Sequence, residues 1–168
     1  EAQLFAVLSF FWAGGHYGET VAILALTGFL TAAVLGTLAH FTYRWSGGAL
    51  LAGVFCAVNE SVWEHMKLLF FPVFLFTAAQ FCMGERDGLL AARAVSVTAG
   101  LALIPTLYYT YTGVWGEHVL WADVAIFYLS AAVTFWLDSL LAASDGLGDG
   151  TAGGGTGVAL VFLHCHGF

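Results

Sequence analysis

Apolar residues run through this chain in blocks too long for a soluble core, and polar residues gather between the blocks. A helix needs roughly 20 predominantly apolar residues to cross bilayer hydrocarbon. Four stretches meet that length: residues 20–42, 61–83, 89–112 and 118–143. Two shorter runs, 4–13 and 156–168, cannot span alone. The first is set off from the next block by Gly14-Gly15-His16-Tyr17-Gly18 and reads as a partial or interfacial helix. Residues 48–58 are apolar but only about eleven long, which predicts a re-entrant or interfacial segment. Irregular backbone survives at membrane depth only beside protein or a wet cavity, so 48–58 is the expected wall of a pocket. Pro72 in 61–83 removes a backbone donor and frees the carbonyl of Leu68. Gly28 and Gly36 in 20–42 are expected to let neighbouring helices approach closely. The predicted fold is all-α, a polytopic transmembrane helix bundle. It has four full spans, two shorter N- and C-terminal apolar helices and the segment near 48–58, in a single membrane domain over 1–168. Residues 144–157 read as a flexible Gly-rich acidic loop.

Composition narrows the functions. Hydrophobic residues make up 60% of the chain and charged residues 9%, against about 25% charged in a soluble domain. Mean hydropathy is +0.87. The lipid bilayer is therefore the first partner. With four Lys and Arg and a net charge of −7, no basic surface exists for nucleic acid. If 48–58 does not cross, Arg44, Lys67 and the turn at 113–117 share one face, and Arg86 and the acidic loop share the other. Arg93 lies nearer that second face. Basic residues thus split between faces, and the positive-inside rule assigns no orientation. Cys56, Cys82 and Cys165 form no C-x-x-C and read as small hydrophobes, not a disulfide framework. The first run lacks the basic flank of a signal peptide. The chain starts without Met and stops after Gly167-Phe168, so processed or clipped ends are expected, with the short runs as remnants of fuller helices.

The densest chemistry lies in N-E-S-V-W-E-H-M-K-L-L-F-F-P, residues 59–72. Charges at the mouth of a membrane helix are costly unless partnered. Part of the motif has a structural account. Asn59 is an N-cap candidate, Ser61 and Glu64 match the S-x-x-E capping box, and acids in a first turn gain roughly 0.3–1 kcal/mol each from the helix dipole. Counted as helical, Glu60, Glu64 and Lys67 share one stripe at i, i+4 and i+7, with Ser61 and His65 on the next. A Glu64–Lys67 pair is then expected, leaving Glu60 to find Arg44, a His or a metal. His40, Glu60, Glu64, His65 and Asp123 are metal-ligand types, with Glu60, Glu64 and His65 as the weak core candidates, but H-E-x-x-H and paired E-x-x-H spacings are absent. His164-Cys165-His166 is a second metal-like group. Asp123, inside an apolar helix, is a functional candidate by its position alone; Asp138 is expected at an interface. Tyr109 and Tyr111 can supply hydroxyls to a pocket, although an aromatic belt explains the run 108–112 equally well.

Three blocks together resemble a known family. They are His40-Phe41-Thr42-Tyr43-x-Trp45-Ser46-Gly47, then Asn59-Glu60-Ser61-x-Trp63-Glu64-His65-x-Lys67-Leu68-Leu69-Phe70-Phe71-Pro72, then Tyr109-Thr110-Tyr111-Thr112-Gly113 followed by Asp123. The family comprises small multi-pass membrane proteins, mainly bacterial, catalogued as a domain of unknown function. The likeness spans about 35–127. It implies an all-helical membrane domain and marks Glu60, Glu64, His65 and Lys67 as a shared polar core, with no activity attached. The Ala- and Gly-rich bias and the Gly-rich linker depart from a compact bacterial member. They lead to the expectation of an organelle membrane, with a bacterial-type inner membrane as the alternative.

Two functions of different class follow. One is a structural or accessory subunit that packs against other membrane subunits and uses the Glu/His/Lys cluster as an internal polar staple. The other is a membrane-embedded enzyme or small-solute or proton carrier using Glu60, Glu64, His65 and Asp123, with or without a metal. Pigment or haem ligation by His40, His65 or His118 is a third reading, resting on residue type. The cofactor stays open between none, a metal and a pigment.

Overall fold

Hydrogen bonding within each apolar block satisfies the backbone without outside partners, and every described block takes that solution. The computed structural model describes residues 2–84 and 89–143, with side chains for 19–84 and 89–142. Its helices are α1 Ala2–Trp45, α2 Leu50–Phe55, α3 Val62–Cys82, α4 Leu89–Trp115 and α5 Leu120–Ala143, and no strand occurs among the described residues. Four segments are long and apolar enough to cross a membrane: Glu19–Trp45, Val62–Cys82, Leu89–Trp115 and Leu120–Ala142.

Two boundaries differ from those the sequence predicts. Residues 14–18 do not separate a short first helix; the run 4–13 is the beginning of α1, which continues unbroken to Trp45. Glycine costs a helix only about 1 kcal/mol each and, unlike proline, removes no hydrogen bond. Likewise α4 passes through Gly113 to Trp115, and the chain turns at Gly116, whose φ of +80° suits glycine. The loop 144–157, the run 156–168, Cys165 and the His164-Cys165-His166 group lie outside the described residues.

The four long helices form a ring in which α1 contacts α3 and α5, and α4 contacts the same two, while α2 rests on α1 and α3. Gly28, Ala32 and Gly36 form a buried stripe at i+4 spacing on α1. A Cβ on Gly28 would run into the ring of Phe135, and one on Gly36 would sit 2.7 Å from the carbonyl oxygen of Leu68. That carbonyl is the one Pro72 deprives of its i+4 donor, so the free carbonyl of α3 sits against the glycine of α1. On the opposite side of the ring, a Cβ at Gly100 of α4 would strike Thr134 Oγ1 and lie 3.1 Å from the Ser130 carbonyl.

One end of the bundle is closed by charge. Arg93 of α4 is 3% exposed; its Nε donates to Asp138 Oδ1 at 3.0 Å and its Nη2 to Asp138 Oδ2 at 2.9 Å. Nη2 also donates to Gln80 Oε1 at 2.8 Å, and the guanidinium carbon lies 5.4 Å and 5.2 Å from the ring centroids of Phe76 and Phe135, which are in contact with each other. Asp138 is therefore buried inside the bundle, not interfacial as the sequence suggests. A buried arginine at matching depth on the neighbouring helix meets the carboxylate better than solvent at a helix end.

Breaking a buried pair strands the remaining charge, which costs about 3–5 kcal/mol, whereas removing both charges is far milder. Arg93→Leu is expected to lower the midpoint of unfolding in detergent sharply, with Arg93→Leu/Asp138→Leu recovering most of the loss. Gly100→Val, forced against the α5 backbone, is expected to destabilise by at least about 1–3 kcal/mol in the same assay.

Candidate functional site

At the other end the chain leaves α1 through Gly47 and Gly48, both at positive φ, and reaches α3 by way of α2. Two local devices start α3. Asn59 Oδ1 accepts from the Ser61 N–H at 2.9 Å, an Asx turn, and Ser61 Oγ accepts from the Glu64 N–H at 3.4 Å. Ser61, at φ −76° and ψ 152°, is the N-cap, and Asn59 sits two residues before it. The capping box is only half formed, because the Glu64 carboxylate is used elsewhere.

Glu64 Oε2 accepts from the Val58 N–H at 2.9 Å and pairs with Lys67 Nζ at 2.7 Å. Lys67 Nζ also donates to the Gly53 carbonyl at 3.0 Å. The pair ties the segment between α2 and α3 down onto α3. Glu60 goes another way. It precedes the cap, so it is not helical, and the stripe linking it to Glu64 and Lys67 does not exist. Its Oε1 lies 3.6 Å from His40 Nε2 of α1 and its Oε2 lies 3.7 Å from His65 Nε2 of α3. The imidazole rings are 5.6 Å apart, centre to centre. One ligand atom from each of His40, Glu60 and His65 lies within 4.8 Å of the others. Glu64 is not part of that group.

These three side chains face a cavity of about 570 Å³ that Asp123 of α5 also lines. Asp123 Oδ1 accepts from the Tyr111 hydroxyl, which itself accepts from the Val119 N–H at 3.2 Å, and Asp123 Oδ2 is 3.7 Å from His118 Nδ1. Tyr111 thus stands behind Asp123 and orients it. Tyr109 is exposed on the outside of α4, and His118 is exposed at the start of α5. Gly48, Ala57 and Val58 supply one wall, so the segment expected to border a pocket does so. Deeper in, the lining turns apolar at Leu68, Val124 and Phe127. Cys56 and Cys82 are free thiols.

The structure therefore gathers His40, Asn59, Glu60, His65 and Asp123 at one cavity and leaves Ser61, Glu64, Lys67, Tyr109 and Tyr111 off its wall. Sequence reasoning missed Thr37 and Tyr128, which line the cavity and share a hydrogen bond of 2.9 Å between α1 and α5. The spacing held a signal for Thr37, which lies three residues before His40 on the same face of α1; Tyr128, five residues after Asp123, falls off the face Asp123 defines.

No curated protein and no solved structure matches the chain. A family of unknown function, DUF6512, matches residues 20–142. That stretch contains α1 from Thr20 onward, all of α3 and α4, the Glu64–Lys67 and Arg93–Asp138 ion pairs and every residue of the cavity wall. The chain belongs to the family of unknown function DUF6512.

Proposed function

We propose that this protein is a membrane-embedded enzyme that takes the polar end of a small amphiphilic molecule into the cavity and performs acid–base chemistry on it. The observation that carries this is the convergence of Glu60, His40, His65 and Asp123, from a loop and three helices, on one cavity whose deeper lining is apolar. Its volume falls within the roughly 300–1,000 Å³ typical of small-molecule sites. Ionisable groups gathered beside an apolar chamber are the usual arrangement for proton transfer to a bound substrate.

Depth supports an amphiphile. Trp45, Trp63, Trp115 and Trp121 are all exposed and all stand at the cavity end of their helices. Indole prefers the headgroup level, so the cavity mouth sits where the polar parts of lipids lie. Access from one face favours an enzyme over a carrier. The cavity wall comes from the ends of α1, α3 and α5, and the Arg93–Asp138 network closes the far end. In this reading 48–58 lies at the interface, its exposed Leu50, Leu51 and Phe55 dipping toward acyl chains.

An accessory subunit would instead need a partner on the exposed stripe of α1, Ile23, Leu26, Leu30, Val34 and Leu38. Acyl chains satisfy that stripe as well as a partner does, and the cavity has no role in such an account.

Purified protein reconstituted in nanodiscs and incubated with a membrane lipid extract is expected to consume an amphiphile, read by mass spectrometry. Glu60→Gln and Asp123→Asn should each lower that turnover by about 10²–10⁴-fold, the usual worth of a positioned acid or base, and Asp123→Asn should do so with little change in thermal midpoint. If both variants unfold and the wild type alters no component of the extract, the cluster is a structural staple. Glu64→Gln should behave differently, losing about 1.5–3 kcal/mol of stability as its charged hydrogen bonds go, measured by chemical unfolding in detergent.

A further inference from the structure

Resting on the enzyme reading and extending it, we propose that His40, Glu60 and His65 hold a divalent transition-metal ion of the zinc class, with an open coordination position facing the cavity. Three features carry this. The first is distance. Zinc binds nitrogen and carboxylate oxygen at about 2.0–2.2 Å, so ligands at tetrahedral corners stand roughly 3.4 Å apart. Glu60 Oε1 lies 3.6 Å from His40 Nε2 and Oε2 lies 3.7 Å from His65 Nε2, too far for hydrogen bonds, and one ligand atom from each residue lies within 4.8 Å of the others, so a modest closure would bring them to that spacing.

The second is the proton on His65. Its Nδ1 lies 2.9 Å from the Ser61 carbonyl oxygen, which can only accept. Nδ1 must therefore donate, and in the neutral ring Nε2 is left with a bare lone pair. That lone pair faces the carboxylate of Glu60, an arrangement of two acceptors that needs a positive centre between them. A proton on His65 would satisfy one imidazole; a metal ion satisfies both. Anchoring one ring nitrogen on a backbone carbonyl while the other binds is also how metal-bound histidines are oriented.

The third is preorganisation. The Asx turn at Asn59 and the Glu64–Lys67 tie fix the backbone on either side of Glu60, so the loop ligand is held against the two helical ones. Two imidazoles and one carboxylate suit zinc, whereas magnesium and calcium prefer sets made of oxygen. Asp123 lines the same cavity without joining the cluster, which leaves the fourth position open to the polar end of a bound molecule.

The test uses detergent-purified full-length protein with any polyhistidine tag removed. About one zinc per chain is expected by elemental analysis, and a chelator should lower the thermal midpoint, with zinc but not magnesium restoring it. His40→Gln, Glu60→Gln and His65→Gln should each weaken binding beyond the about 10–100-fold that loss of an outer hydrogen-bonding partner costs. Cys82→Ser, on an exposed thiol at the opposite end, should retain the metal. Cobalt added to stripped protein should give a visible spectrum that Glu60→Gln lacks, a readout independent of fold stability. Wild-type protein with less than about one-tenth of an equivalent and no thermal response to zinc overturns the proposal. So does equal binding by all three variants. Turnover that persists in metal-free protein overturns the metal alone and leaves the enzyme reading standing. Stoichiometric zinc without turnover of any lipid supports the metal and removes the enzyme reading.

Discussion

Hydrocarbon offers a charge no partner, so each ionised side chain in these helices must find one inside the bundle or at its rim. That constraint accounts for most of the polar architecture. Arg93 is matched by Asp138 and capped by Gln80, and Lys67 by Glu64. Both pairs join separate pieces of the chain: the first binds α3, α4 and α5, the second fastens a loop to α3. Two carboxylates face the cavity, those of Glu60 and Asp123, and among the described residues neither is paired with a lysine or arginine. Acids that structure does not consume, placed where a molecule can enter, are the reason to look for chemistry here.

The close helix contacts explain why the cavity lies at one end. Gly28, Ala32 and Gly36 draw α1 against the rest of the ring, and Gly100 does the same between α4 and α5. Toward the Arg93 end the ring of Phe135 fills the space and, with Phe76, lies against the guanidinium. Past Gly36 the cavity opens, and Gly48, Ala57, Val58, Asn59 and Glu60 supply part of its wall. The cavity is thus bounded by backbone contact below and by a tethered loop at the side.

Hydropathy was enough to locate the four helices long and apolar enough to cross a membrane, because a bilayer asks one length and one composition of every span. Helix ends were less legible: Gly14, Gly15 and Gly18 look like a break, yet a helix tolerates glycine where it would not tolerate proline. The Glu64–Lys67 pair could be read from i, i+3 spacing, since both residues are helical. Glu60 could not be assigned in the same way. Its neighbourhood depends on whether the helix begins before or after Ser61, a shift of two residues that turns the carboxylate from Glu64's side to the two histidines. Arg93 and Asp138 were visible as single charges in apolar helices. Their pairing needed the antiparallel packing of α4 on α5, which matches depths counted from opposite helix ends. Tyr128 was hidden because a position five residues from Asp123 falls off that residue's helix face, and Thr37 was easy to pass over because threonine in an apolar helix usually bonds the preceding turn, as it also does with the Ala33 carbonyl.

Within the motif, fold and site meet at a single atom. The Ser61 carbonyl oxygen accepts the His65 N–H at 3.2 Å, one of the first hydrogen bonds of α3, and lies 2.9 Å from His65 Nδ1. Helix initiation and the orientation of the imidazole are therefore one event. Had α3 begun a residue later, that carbonyl would leave the helix end, and Nε2 would lose its aim at Glu60. The Ser61 cap and the Asn59 turn fix that starting point, which makes them positioning residues although neither is charged. A motif that packs an Asx turn, a cap, an ion pair and a ligand into consecutive residues leaves little freedom for any of them to move alone.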